Sequence, residues 1–117
     1  MSGMLKGWSD DDLRNAAQII GQLPAPMPDP TRALPAQVEK ARTLVQQHRC
    51  NFCHKPDFSG AENAPRLAGQ REDYLLKTLR DYKSNRRVAY DASMVDALHP
   101  LTDADLQLLA QYLSQLN

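Results

Sequence analysis

The chain has 117 residues, 42% hydrophobic and 24% charged, with Lys+Arg 14 against Asp+Glu 14, eight Pro and two Cys. That is room for one domain and little else, and zero net charge with a pI near 6.8 argues against a protein built to neutralise nucleic-acid phosphates. No window approaches the roughly 20 apolar residues of a membrane span, and the N-terminus, MSGMLKGWSDDDLRN, lacks the basic-then-apolar pattern of a secretory signal, so the chain reads as soluble, either cytosolic or already free of a targeting segment.

Four segments show helical periodicity and none shows strand alternation, which predicts an all-α chain. The first helix starts at Ser9 as N-cap, with Asp12 three residues on and Asp10 and Asp11 favouring the positive end of the helix dipole. Leu13, Ala16, Ala17, Ile20 and Leu23 form its apolar stripe, and Pro24, Pro26, Pro28 and Pro30 then stop it. LPAPMPDP reads as a stiff extended linker. A second helix spans about Pro35 to Arg49, with Val38, Ala41, Leu44, Val45 and His48 on its buried face, and runs directly into CNFCH.

Residues Lys55 to Gln70, with two Pro and two Gly, read as a loop. A third helix over Arg71 to Ser84 turns Leu75, Leu76, Leu79 and Tyr82 toward a core and Lys77, Arg80 and Lys83 outward. Asn85 to Leu101 reads as another loop, containing Met94, His99 and Pro100. The last helix opens at Thr102, has Asp105 three residues later, and carries Leu106, Leu109, Ala110, Leu113 and Leu116.

Shifting the N-terminus by 93 residues aligns Ser9 with Thr102, Asp10 with Asp103, Asp12 with Asp105, Leu13 with Leu106, Ala17 with Ala110 and Leu23 with Leu116. The register extends back to Leu5 with Leu98 and Met1 with Met94, which makes an incomplete internal repeat. The expected organisation is therefore residues 1–30 as the last helix of a preceding domain plus its Pro-rich linker, and residues 31–117 as the domain proper.

Cys50, Cys53 and His54 carry the chemistry. Two thiols three positions apart at a helix end, with an imidazole next in line, meet the needs of covalent haem attachment: each Cys adds to a vinyl group and His54 binds the iron. A thioredoxin-like redox pair should follow a strand, and no strand is predicted. A zinc site would need a fourth ligand, for which His48 or His99 would serve, but there is no second CxxC. Chance occurrence is the remaining alternative. A haem would also supply bulk to a domain of fewer than 90 residues with six aromatics, Phe52, Phe58, Tyr74, Tyr82, Tyr90 and Tyr112, since such small cores often need a staple.

Over residues 34–117 the chain resembles the class I cytochromes c: a helix running into CNFCH, then Pro65-Arg66-Leu67, a middle helix, a Met-bearing segment and an amphipathic last helix. APRLAGQREDYLLKTLRDYKSNRR, Met94 and LTDADLQLLAQYL look most like the C-terminal domain of a bacterial periplasmic dihaem cytochrome c. The resemblance implies a small all-α fold wrapped around one haem c, thioethers at Cys50 and Cys53, and His54 as proximal iron ligand. It implies Pro65 as the residue whose carbonyl accepts the other imidazole N–H, and Met94 as distal ligand, with His99 as the competitor. Thioether sulfur favours reduced iron, so this ligation raises the potential relative to two histidines. One departure is Ala41, where the first helix of the family usually places a Gly against an aromatic of the last helix.

The implied function is one-electron transfer rather than enzymatic catalysis. An electron-entry domain of a larger oxidoreductase or multihaem complex and a haem peroxidase are the alternatives. Implied partners are redox proteins, including acidic ones, with no nucleic acid and no membrane span in this chain, which would be a fragment of a longer two-domain polypeptide. Haem c installation implies the periplasm, or the outer face of the inner membrane through a parent protein. Residues 35–87 hold eleven basic and six acidic groups, concentrated at Lys77, Arg80, Lys83, Arg86 and Arg87. That stretch reads as a solvated helix face, as a steering patch for an acidic partner, or as a source of an Arg for a haem propionate.

Overall fold

A computed structural model describes residues 3–24, 34–87 and 92–116. Its helices in chain order are α1 (Asp10–Gly21), α2 (Pro35–Gln47), α3 (Cys50–His54), α4 (Glu72–Lys83), α5 (Ser93–Leu98) and α6 (Asp103–Ser114). Among the described residues there is no strand, only an isolated bridge between Ala61 and Ala64. Most of the Pro-rich linker, Tyr90 and the match of Met1 to Met94 lie outside the described residues.

Helix starts follow local chemistry. At α6 the Thr102 hydroxyl accepts the Asp105 N–H at 3.2 Å, while the Asp105 carboxylate accepts the Thr102 N–H at 3.0 Å. Ser9 and Asp12 repeat that reciprocal box at α1, at 3.2 and 2.9 Å. α2 starts with Pro35, whose missing N–H costs nothing at a helix start.

The core lies where α6 meets α4 and α2. Leu106, Leu109, Ala110 and Leu113 of α6 are buried with Leu75 and Leu79 of α4, Val45 of α2, Phe58, Ala68, Leu98 and Leu101. Each large apolar side chain removed from water in this way contributes about 1.5–3 kcal/mol before entropy is counted. Ala41 on α2 and Ala110 on α6 are both at 0% exposure, so alanine at position 41 is small enough for close helix contact. α1 differs from α6 in one respect: it buries no residue, and Ile19, Ile20 and Leu23 stand exposed.

Two expectations need correction. The segment Asn85 to Leu101 is not all loop, because Ser93–Leu98 forms a helix with Met94 in its first turn; six residues are too few to show a helical period in sequence. Lys83 does not point to solvent but reaches the main-chain carbonyls of Leu98, His99 and Leu101. His48, half-buried like Val38 and Leu44, is the C-cap of α2.

Candidate functional site

The site is built around α3. This helix places Cys50 and Cys53 one turn apart, with His54 four residues after Cys50. The residues on either side have positive φ: Arg49 at φ 53° and ψ 31°, and Lys55 at φ 67° and ψ 160°. α3 is thus cut from α2 at one end and turned sharply into the following loop at the other.

His54 is buried at 5% exposure, and its Nδ1 lies 2.8 Å from Pro65 O. A carbonyl can only accept, so Nδ1 carries the proton and donates. In the neutral ring that leaves the lone pair on Nε2, the tautomer a metal ligand needs. The sixth-position candidates differ in environment: Met94 is half-buried and packs against the core, as does Cys50, whereas His99 caps α5 and is exposed. His48 contributes to holding the Asp105 carboxyl below its ordinary range, behind the Thr102 hydroxyl and N–H and Lys40, which places it beside α6.

The Pro65 carbonyl is positioned by a loop laced with main-chain bonds. Gly60 N–H donates to His54 O at 3.1 Å, and Phe58 N–H to Lys55 O at 3.1 Å. Ala61 and Ala64 exchange N–H···O bonds of 2.9 and 2.7 Å, closing a tight turn just before Pro65. Phe58, at 3% exposure, anchors the segment in the core, and its carbonyl accepts from Leu67 and Ala68. At the far end Gly69 N–H donates to Leu113 O of α6 at 3.1 Å. Gly60 and Phe58 escaped sequence reasoning as residues that position Pro65; the one available signal was a Gly between the motif and Pro65.

Cys50 and Cys53 are both free thiols, Cys50 half-buried and Cys53 exposed. Burial pushes the Cys50 thiol up, which keeps it neutral and counts against an activated redox thiolate. Among the described residues no group of three His, Cys, Asp or Glu converges on a metal position, which counts against zinc. Two thiols on one helical turn, beside an imidazole with Nδ1 bonded to a carbonyl, suit a haem c.

The five clustered cations all have partners within the chain. Lys77 and Arg86 pair with Asp81, and Arg80 makes two bonds of 2.7 Å to Asp103. Arg87 lies 5.3 Å from the centre of the Tyr82 ring and bonds Tyr74, whose hydroxyl pKa it lowers. Lys83 is taken up by carbonyls, as described above.

Comparison with known proteins agrees with this frame. A family model described as cytochrome c matches residues 38–117. A cytochrome c4 of Azotobacter vinelandii is 29% identical over 128 residues, covering 100% of this chain and 60% of its own length. A cytochrome c4 of Stutzerimonas stutzeri is 42% identical over 76 residues, covering 56% of this chain and 35% of its own length. The crystal structure of reduced recombinant cytochrome c4 from Pseudomonas stutzeri is similar at a TM-score of 0.80 and 26% identity, covering 100% of this chain and 66% of that one. The chain therefore spans about 60% of the length of its Azotobacter relative. With its single CxxCH motif, its helical frame and these relatives in agreement, the chain belongs to the cytochrome c family, whose cofactor is a covalently attached haem c.

Proposed function

We propose that this chain is a one-electron carrier, with Cys50 and Cys53 as the thioether anchors of one haem c and with His54 and Met94 as its axial ligands. The haem iron supplies the one-electron ferric/ferrous couple. The protein's own residues prepare the site. Pro65 O fixes the His54 tautomer and ring direction through the 2.8 Å bond, and that bond is the observation that carries the reading. Met94, half-buried against the core, offers a thioether sulfur, whereas His99 is exposed.

An optical spectrum of the oxidised and reduced protein tests the assignment. A haem c spectrum with the weak far-red sulfur-to-iron band, lost in Met94→Ala and kept in His99→Ala, is expected. A parent protein without that band at neutral pH overturns Met94 and returns the sixth position to His99 or to an exchangeable site of peroxidase type.

Residues 1–30 we assign to the end of a preceding domain and its linker, and residues 31–117 to the haem domain. Support comes from the shared capping boxes at Ser9 and Thr102, and from the apolar residues exposed on α1 at register positions that α6 buries. One further CxxCH upstream in the parent gene, and nothing more, would fit a dihaem carrier; an upstream catalytic domain would fit an electron-entry domain of an oxidoreductase. The proposed partners are redox proteins, and the proposed location is the periplasm, where haem c is installed. No helix among the described residues is long and apolar enough to cross a membrane.

A further inference from the structure

Lys83 is the last residue of α4, and its ammonium donates to Leu98 O at 3.3 Å, to His99 O at 2.7 Å and to Leu101 O. These carbonyls lie 15, 16 and 18 residues further along the chain. They form the C-terminal end of α5 and the turn over Pro100 that leads into α6. Leu98 O also accepts from Leu101 N–H, but His99 O and Leu101 O take no main-chain hydrogen bond among the described residues. A helix C-terminus concentrates unpaired carbonyls and partial negative charge, and one ammonium answers both.

α5 depends on such ties. It has six residues and buries one of its own, Leu98, and a helix that short has no stability by itself in water. What holds it is Leu98 and Leu101 in the core, Met94 against the core, and Lys83 across its end. The aliphatic stem of Lys83 crosses from α4, which is itself fixed to α6 through Arg80 and Asp103. Lys83 therefore connects the segment bearing Met94 to the packed pair α4 and α6.

We infer that Lys83 is a positioning residue for the sixth-ligand segment: its three donated bonds hold the end of α5 and so keep Met94 in place against competing ligands. This rests on Met94 as the distal ligand. The inference is tested on the haem-loaded protein with Lys83→Met, which keeps the stem and removes the donors, and with the milder Lys83→Gln in case the first fails to fold. Lys83→Arg restores a cationic multiple donor. Two readouts are taken: hydrogen exchange at the His99 and Leu101 amides, and the association rate of imidazole with the oxidised protein.

Losing charged hydrogen bonds to these three carbonyls should raise both by about tenfold in Lys83→Met, with most of the effect recovered in Lys83→Arg. Unchanged amide exchange overturns the anchor. Faster exchange with an unchanged imidazole rate also overturns the inference, because Lys83 would then support the fold without guarding the ligand. If the parent lacks a Met94-dependent far-red band, the underlying ligand assignment has failed and the inference falls with it; an intact band beside unaltered rates rejects the Lys83 role alone.

Discussion

At Gly60 the backbone has φ +82°, and a β-carbon there would lie 2.6 Å from Ala64 O and from Arg66 N, and 2.7 Å from Pro65 C. Every one of those atoms is main chain, so no side-chain movement could relieve the contact. The crowded segment is the one that presents Pro65 O to His54. Gly60→Ala should therefore destabilise the protein by at least about 2 kcal/mol in denaturant unfolding and weaken the His54–Pro65 bond, visible as a raised reduction potential, because the imidazole loses basicity with that bond. Lys55 is the reverse case. Its φ 67° and ψ 160° suit glycine and strain a side chain, so Lys55→Gly should raise stability by up to about 1 kcal/mol in the same measurement. Neither prediction was open to sequence reading, because φ at these positions is imposed by bonds such as Gly60 N–H to His54 O. Cys50, Cys53 and His54 were legible because their chemistry lies in spacing along five residues.

The two capping boxes separate local chemistry from packing at the level of the element. Thr102 and Ser9 make nearly the same bonds, but α6 buries four residues and α1 buries none. Thr102→Ala should cost about 1 kcal/mol of global stability, while Ser9→Ala should leave the main unfolding transition unmoved and only reduce helix content; circular dichroism with denaturant reports both. Sequence showed both caps and both apolar stripes, and could not show which stripe finds a partner.

The contact between α4 and α6 carries a pH dependence. Hydrogen bonds from Arg80, and then from Gln107, lower the Asp103 carboxyl from 3.8 to about 2. A carboxyl depressed in the folded state favours folding fully above its unfolded value, and that contribution is lost as pH falls from about 4 toward about 2. Arg80→Gln should move the Asp103 titration, followed by carboxyl NMR, back up toward its ordinary value. An unmoved titration would mean that the pair is not formed in solution.

Taken as a whole, the molecule is neutral, with Lys+Arg 14 against Asp+Glu 14, and charges of opposite sign meet at short range on its surface. In sequence the cations of residues 77–87 read as a solvated helix face, a steering patch or a source of an Arg for a propionate; in the fold Asp81, Asp103, Tyr74, Tyr82 and three carbonyls engage them. Exposed pairs of this kind largely cancel at distance and are screened by salt. Replacing Arg86 and Arg87 together with Gln should leave the salt dependence of electron-transfer rate close to that of the parent. A clearly flattened dependence would restore the steering role. Removing residues 1–33 should likewise leave the unfolding midpoint of the remaining chain unchanged, since α1 contributes no buried residue.

Sequence by itself determined the helical class, the helix starts, the attachment motif and the family, because each is written in spacing over a few residues: an apolar period, a hydroxyl three residues before a carboxylate, two thiols and an imidazole. Tertiary structure decided the rest. It turned Met94 from a loop residue into part of a short helix, drew Lys83 from the solvent side onto carbonyls 15 to 18 residues away, and made Gly60 a spatial requirement of Pro65. Those outcomes depend on which groups meet across chain separations that no local pattern encodes, where steric room and unpaired main-chain carbonyls decide what a side chain does.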